Sequence, residues 1–145
     1  MTGTVRDLID DAIEAALAPD VVDASALEFE PNGDPGVFPG LAVFNHGDQL
    51  LEQDAVSERR SMDLTIEGYV AGAGTRAGVR ARNGLHARTV AAIMADEQLG
   101  GMVELIEPGD VRRTTLEFDV GGRLTFAQDF TIQFTTSRRD PALPA

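Results

Sequence analysis

A chain of 145 residues is long enough for one domain with a real core, since a domain of this size withdraws roughly two thirds of its unfolded surface from water. It carries a formal net charge of -12, all 12 of its basic residues are arginine, and it has no cysteine. The charge opposes sequestering nucleic acid or lying on an anionic membrane, and the missing thiols remove disulfides, thiolate metal sites and cysteine nucleophiles.

Hydrophobic residues make up 43% and aromatic residues 6% of the chain, which is globular rather than disordered composition. No apolar run approaches the ~18 residues of a membrane span, and no basic-then-apolar leader opens the sequence, so a soluble protein is expected.

From Thr4, Val5, Leu8, Ile9, Ala12, Ile13, Ala16 and Leu17 recur at three- and four-residue spacing, which predicts an amphipathic helix within residues 1–18. Asp7, Asp10, Asp11 and Glu14 occupy its other face, where solvent rather than a bound cation is the expected neighbour. Leu27–Phe29 and Leu41–Phe44 read as short strands on either side of the Pro/Gly-rich run 31–40. Residues 45–60 are polar and lack periodic apolar positions, so they are expected to form a mobile loop.

Met62, Leu64, Ile66, Gly68 and Val70 alternate with polar positions, the signature of a strand with one buried face. Thr75 is the expected cap of a helix running to about Ala95, with Val79, His86, Val90, Ile93 and Met94 as its apolar stripe. Residues 102–106 are read as a strand or linker, and Pro108-Gly109-Asp110 as a turn. Leu116, Phe118 and Val120 alternate into a Gly121-Gly122 hairpin turn.

Residues 124–134 then give the clearest signal in the chain. Leu124, Phe126, Phe130, Ile132 and Phe134 share one parity, and a one-residue slip would turn three phenylalanines into water. The tail, 137–145, is expected to be extended. Together the elements predict a single α+β domain over 1–145, a two-layer sandwich with a mainly antiparallel sheet and both amphipathic helices on one face.

Signals for chemistry are sparse. His86 lies on an apolar stripe, where a ring that hydrogen-bonds within the core is expected rather than a base. His46 has Asp48, Glu52 and Asp54 near it in sequence but no metal-ligand spacing, so a solvated loop is expected. No phosphate-binding glycine motif with a lysine and no G-x-S-x-G elbow is present. The sequence therefore points to no catalytic residue, no cofactor and no metal ligand. The basic residues that stand out are Arg59, Arg60, Arg76, Arg80 and Arg82, a candidate subunit-interface patch on an acidic chain, for which a solvated helix face is the alternative.

The run Ser61–Val70, the helix end Ala91–Asp96, Leu99-Gly100-Gly101-Met102-Val103, and Phe130–Thr136 before Asp140-Pro141 together resemble the lambda-type tail terminator proteins of long-tailed bacteriophages. The resemblance covers the C-terminal part of the chain and the N-terminal helix; residues 31–60 depart from it. It implies a virion protein without enzymatic activity, which assembles in the host cytoplasm into a six-fold homo-oligomeric ring. That ring caps the tail tube at its head-proximal end and offers the docking surface for the head-tail connector protein. DNA would pass through without specific binding, and no membrane is involved. Another head-tail joining or tail-tube subunit is the near alternative, and a small cytoplasmic ligand-binding or enzymatic α+β domain the distant one.

Overall fold

The computed structural model describes residues 4–31, 37–96, 98–99, 101, 103–116 and 122–140, with 114–116 described through the backbone. Helix α1 (Val5–Leu17) begins where its pattern predicts. The Thr4 hydroxyl accepts from the Asp7 amide at 3.1 Å and the Asp7 carboxylate accepts from the Thr4 amide at 3.0 Å, so two amides without helical partners are satisfied reciprocally. Val5, Ile9, Ile13 and Leu17 form its buried line.

A turn of 3-10 helix leads to β1 (Leu27–Phe29), then the long strands β2 (Gly40–Gln53) and β3 (Ser57–Ala71), helix α2 (Arg76–Met94), and strands β4 (Leu105–Leu116) and β5 (Arg123–Ser137). The five-stranded sheet has the order β1-β2-β3-β5-β4, with β1 parallel to β2 and every other pair antiparallel. The fold is therefore the expected α+β sandwich. Even-numbered residues of β3 and β5 face the helices: Met62, Leu64, Ile66 and Val70 join Leu124, Phe126, Phe130, Ile132 and Phe134 in one buried cluster with α1 and α2.

Three local expectations are corrected. Residues 45–60 are not a loop: Asn45 to Gln53 and Ser57 to Arg60 are paired strand, joined by a turn in which an Asp54 carboxylate oxygen accepts from the amides of Val56 and Ser57, both at 2.8 Å. The segment lacks apolar alternation because its far end, 49–56, is exposed on both faces. Pro108-Gly109-Asp110 does not end a strand either; Gly109 and Asp110 form a bulge inside continuous β4, where two residues stand opposite the single residue Asp129. Phe118, Val120 and Gly121 lie outside the described residues, as do Gly100, Met102 and residues 141–145.

The third correction concerns the phase of α2. Thr75 caps it as expected, its hydroxyl accepting from the Gly78 amide at 3.0 Å. The buried line, however, is Gly78, Leu85, Thr89 and Ile93, while Val79 is exposed. Gly78 sits against the Gly72 backbone so closely that a Cβ there would stand 2.1 Å from the Gly72 carbonyl oxygen. That backbone contact rotates the helix by one residue, about 100°. Thr89 is tolerated inside because its hydroxyl donates to the Leu85 carbonyl at 2.8 Å.

Candidate functional site

The outer face of the sheet, away from the helices, carries a chain of polar contacts across four strands. On β2, the ring Nε2 of His46 lies 2.8 Å from the Thr65 hydroxyl of β3, which lies 2.7 Å from an Asp129 carboxylate oxygen of β5. Arg112 of β4 completes the chain, holding Asp129 through both oxygens at 2.7 and 3.0 Å. Two bulges create this crease: one in β2 between Asn45 and Asp48, the other in β4 between Pro108 and Val111. Bulges raise local twist and re-aim side chains. They border an open cleft of about 510 Å³ lined by His46, Asp63, Thr65, Asp110, Arg112 and Asp129.

The proton directions along this polar chain are set by its own members. A carboxylate held by a guanidinium only accepts, so the Thr65 hydroxyl hydrogen is committed to Asp129, and His46 must donate from Nε2 to the Thr65 oxygen. A histidine in that role cannot remove the threonine proton, so this arrangement does not activate Thr65 as a nucleophile. The Arg112 guanidinium first, then the Thr65 hydroxyl and the positive charge of Arg112, hold the Asp129 carboxyl below the ordinary carboxylate range. Its stabilising contribution is thus present at neutral pH and lost as pH falls through that lowered value. Among the described residues, no group of three His, Asp or Glu side chains converges to hold a metal ion.

The other histidine behaves as its position implies. His86 Nε2 lies 2.8 Å from the Gln128 side-chain oxygen, with its ring centroid 5.0 Å from that of Phe126. The Gln128 amide donates in turn to the carbonyls of Gly109 and Asp129, so the β4 bulge is satisfied from the core side.

The five candidate interface arginines divide into two groups. Arg59 lies on the outer face, bound to Glu104 at 2.8 Å, to the Gln133 side chain at 2.8 Å and, more loosely, to Glu52 at 3.4 Å. Arg60 points to the helix face, bridging Asp48 at 2.8 Å and Glu58 at 2.7 Å, and Arg6 of α1 reaches Asp48 at 2.7 Å. The β2 bulge separates His46 from Asp48, placing them on opposite faces. Arg76, Arg80 and Arg82 lie on α2 with Arg88, and among the described residues no ion pair involves any of the four. No acidic residue occurs within α2. All five stand out in the sequence because charge runs are visible there; of their partners, Glu104 and Gln133 reach Arg59 from distant segments, while Arg60 is held by Glu58 of its own strand and Asp48 of the adjacent β2.

The acidic flank of α1 is electrostatically loaded. Burial, with Asp7, Asp11 and Glu30 nearby, pushes the Asp10 carboxyl up to about 6. Its folded value lies above the ordinary 3.8, so its stabilising contribution is complete below about pH 4 and lost as pH rises through about 6. Asp10→Asn is expected to stabilise the subunit at about pH 8 by about 1 kcal/mol after solvent screening, with the gain disappearing near pH 4. Thermal melts of the variant and parent at both pH values check this; an equal gain at both would rule out ionisation of Asp10 as its source.

The remaining exposed feature is apolar. The tip of the β2–β3 hairpin carries Leu50 and Leu51, each 45% exposed, and Val56, 71% exposed. At the other end of β3, Phe38, Val70, Ala71, Ala81, Leu85 and Arg88 line a groove of about 350 Å³. No helix among the described residues is long and apolar enough to cross a membrane.

No family model matches this chain, and no curated protein matches it. Solved structures give distant likenesses. A protein whose name states no function is 17% identical with a TM-score of 0.44, over 89% of this chain and 96% of its own. A chain from the virion of a native gene transfer agent particle is 14% identical with a TM-score of 0.37, over 90% of each chain.

Proposed function

We propose that this chain is a structural protein of a phage or phage-like particle, a tail terminator whose copies close into a six-fold ring. In this reading the ring caps the tail tube at the head-proximal end of the virion, takes the head-tail connector protein on its other side, and assembles in the host cytoplasm. It is not an enzyme and holds no cofactor. The resemblance over Ser61–Val70, Ala91–Asp96, 99–103 and Phe130–Thr136 supplies the family. The observation that carries the assembling role is the exposed β2–β3 hairpin, which offers Leu50, Leu51 and Val56 to solvent beyond the core. Exposed apolar side chains clustered at the end of a regular, well-paired element mark a contact surface. The acidic charge supports a pore through which DNA slides without adhering. Another head-tail joining or tail-tube subunit shares these supports.

A ligand-binding domain is the second reading, and the outer cleft of about 510 Å³ is what favours it. The locked His46–Thr65–Asp129–Arg112 chain weighs against catalysis there. Electron microscopy of the purified protein over a range of concentrations, alone and with tail tubes, is expected to show six-fold rings and capped tube ends. Monomers that leave tube ends bare, together with a thermal shift on adding a small polar ligand, would move the assignment to the second reading.

A further inference from the structure

Hairpin tip and groove lie at opposite ends of β3, a strand of 15 residues, which places them about 45 Å apart. Both belong to one continuous sheet, so the tip of a chain cannot reach its own groove. Their surfaces nevertheless match. The tip presents three aliphatic side chains beside Glu52 and Asp54. The groove is apolar, with Phe38 40% exposed at its mouth, and is bordered by α2, whose four arginines lack ion-pair partners among the described residues.

We infer that the Leu50–Val56 hairpin tip of one copy seats in the Phe38–Ala81–Leu85 groove of the next, with Glu52 and Asp54 facing Arg80 and Arg88 of α2. This rests on the assembling role proposed above and names its contact. The occupant is a second copy of this chain because the tip supplies what the groove lacks: aliphatic bulk and negative charge, carried on a rigid two-stranded element. Opposite charges bring the surfaces together and set their orientation, while the apolar contact supplies most of the adhesion. Asp54 is suited to the place. The amides of Val56 and Ser57 hold its carboxyl below the ordinary range, so it stays charged while bracing the turn. Arg138 adds a second brace, its backbone amide donating to the Val56 carbonyl at 2.9 Å and its guanidinium to the Asp54 carbonyl at 3.1 Å. The tip is therefore presented in a set shape before any partner arrives, which lowers the ordering cost of contact. Tip and groove are different surfaces, so the contact is head-to-tail, the type that propagates from copy to copy until rotation closes it into a ring.

The absence of cysteine from the natural chain allows a direct test. Full-length Val56→Cys and Ala81→Cys chains, mixed and treated with a short bis-maleimide, are expected to give a one-to-one covalent dimer. Its yield should exceed by at least about tenfold that of Val56→Cys mixed with an outer-face control, Asp110→Cys, because docking raises the effective thiol concentration. Adding Arg80→Glu and Arg88→Glu to the Ala81→Cys chain should lower the yield, as should raising salt. A yield no greater than the control overturns the contact, and does so without touching the ring reading if rings are still seen by microscopy. A high yield with open filaments instead of rings upholds the contact and sinks ring closure. Failure of the copies to associate at any concentration, with the crosslink absent, overturns both.

Discussion

Phe126→Ala is expected to destabilise the subunit by about 3–5 kcal/mol, the range for deleting a fully buried aromatic ring from a core that cannot collapse around the gap. Phe126 is 1% exposed and lies across the β3–β5 ladder from Gly68. A Cβ at Gly68 would stand 2.0 Å from the Phe126 ring, so the ring occupies the space that any side chain at position 68 would need. The His86 ring of α2 is also against it, with centroids 5.0 Å apart. Gly68→Val should therefore also destabilise, by overpacking. The double variant Gly68→Val/Phe126→Ala should lose less than the sum of the two single losses, because the new side chain enters the vacated space. Denaturant unfolding of the four proteins measures this coupling. Additive losses would mean that the ring does not fill the space above Gly68.

The second large effect is expected at Asp48, whose carboxylate lies between Arg6 and Arg60 with its side chain only 12% exposed. Asp48→Ala leaves two guanidiniums facing each other on the helix side of the sheet, with Glu58 as the acid still bound to Arg60. Arg6 is also stacked 5.3 Å over the Phe134 ring, so it cannot swing freely into water without giving up that contact. Removing one partner from a partly buried ionic cluster costs more than the cluster contributes, here about 2 kcal/mol given the exposure of both arginines. Asp48→Ala/Arg60→Ala should recover part of that loss, since it removes the repulsion along with the attraction. If Asp48→Ala unfolds at the same denaturant concentration as the parent, the cluster is no more than a screened surface pair.

What could be read from sequence followed the length over which one period holds. In β5 and in β3 from Met62 to Val70, parity persists without interruption, and both strands, their buried faces and their mutual cover by helices are legible. The start of α1 is legible too, because Thr4 and Asp7 satisfy each other within one turn. His86 declared itself by sitting among apolar residues. Residues 45–60 failed for the opposite reason: their strand character comes from main-chain pairing, while the side chains of 49–56 meet solvent on both faces and those nearer the body are polar and ion-paired, so composition imitates a loop. Pro108-Gly109-Asp110 has the local chemistry of a turn, and only the neighbouring strand β5 makes it a bulge. The α2 phase hinged on Gly78 touching Gly72, where the informative feature is a missing side chain. The polar chain from His46 to Arg112 draws one residue from each of four strands, and no window of sequence contains it.

Two register shifts in β2 divide that strand into successive reading frames. Up to Asn45, odd-numbered residues such as Leu41 and Val43 face the core; from Asp48 to Leu50 even-numbered ones face that side, and a second shift between Leu50 and Glu52 returns the frame toward the tip. The half that belongs to the body of the protein is thereby insulated from the half that forms the arm. Lengthening or trimming the hairpin by matched residues beyond Asp48 leaves the inner frame, and every contact it makes with the helices, in place. A lineage carrying this fold can thus retune the reach of its arm without renegotiating its core, and the arm is the part of the chain where homologous proteins should differ most in length.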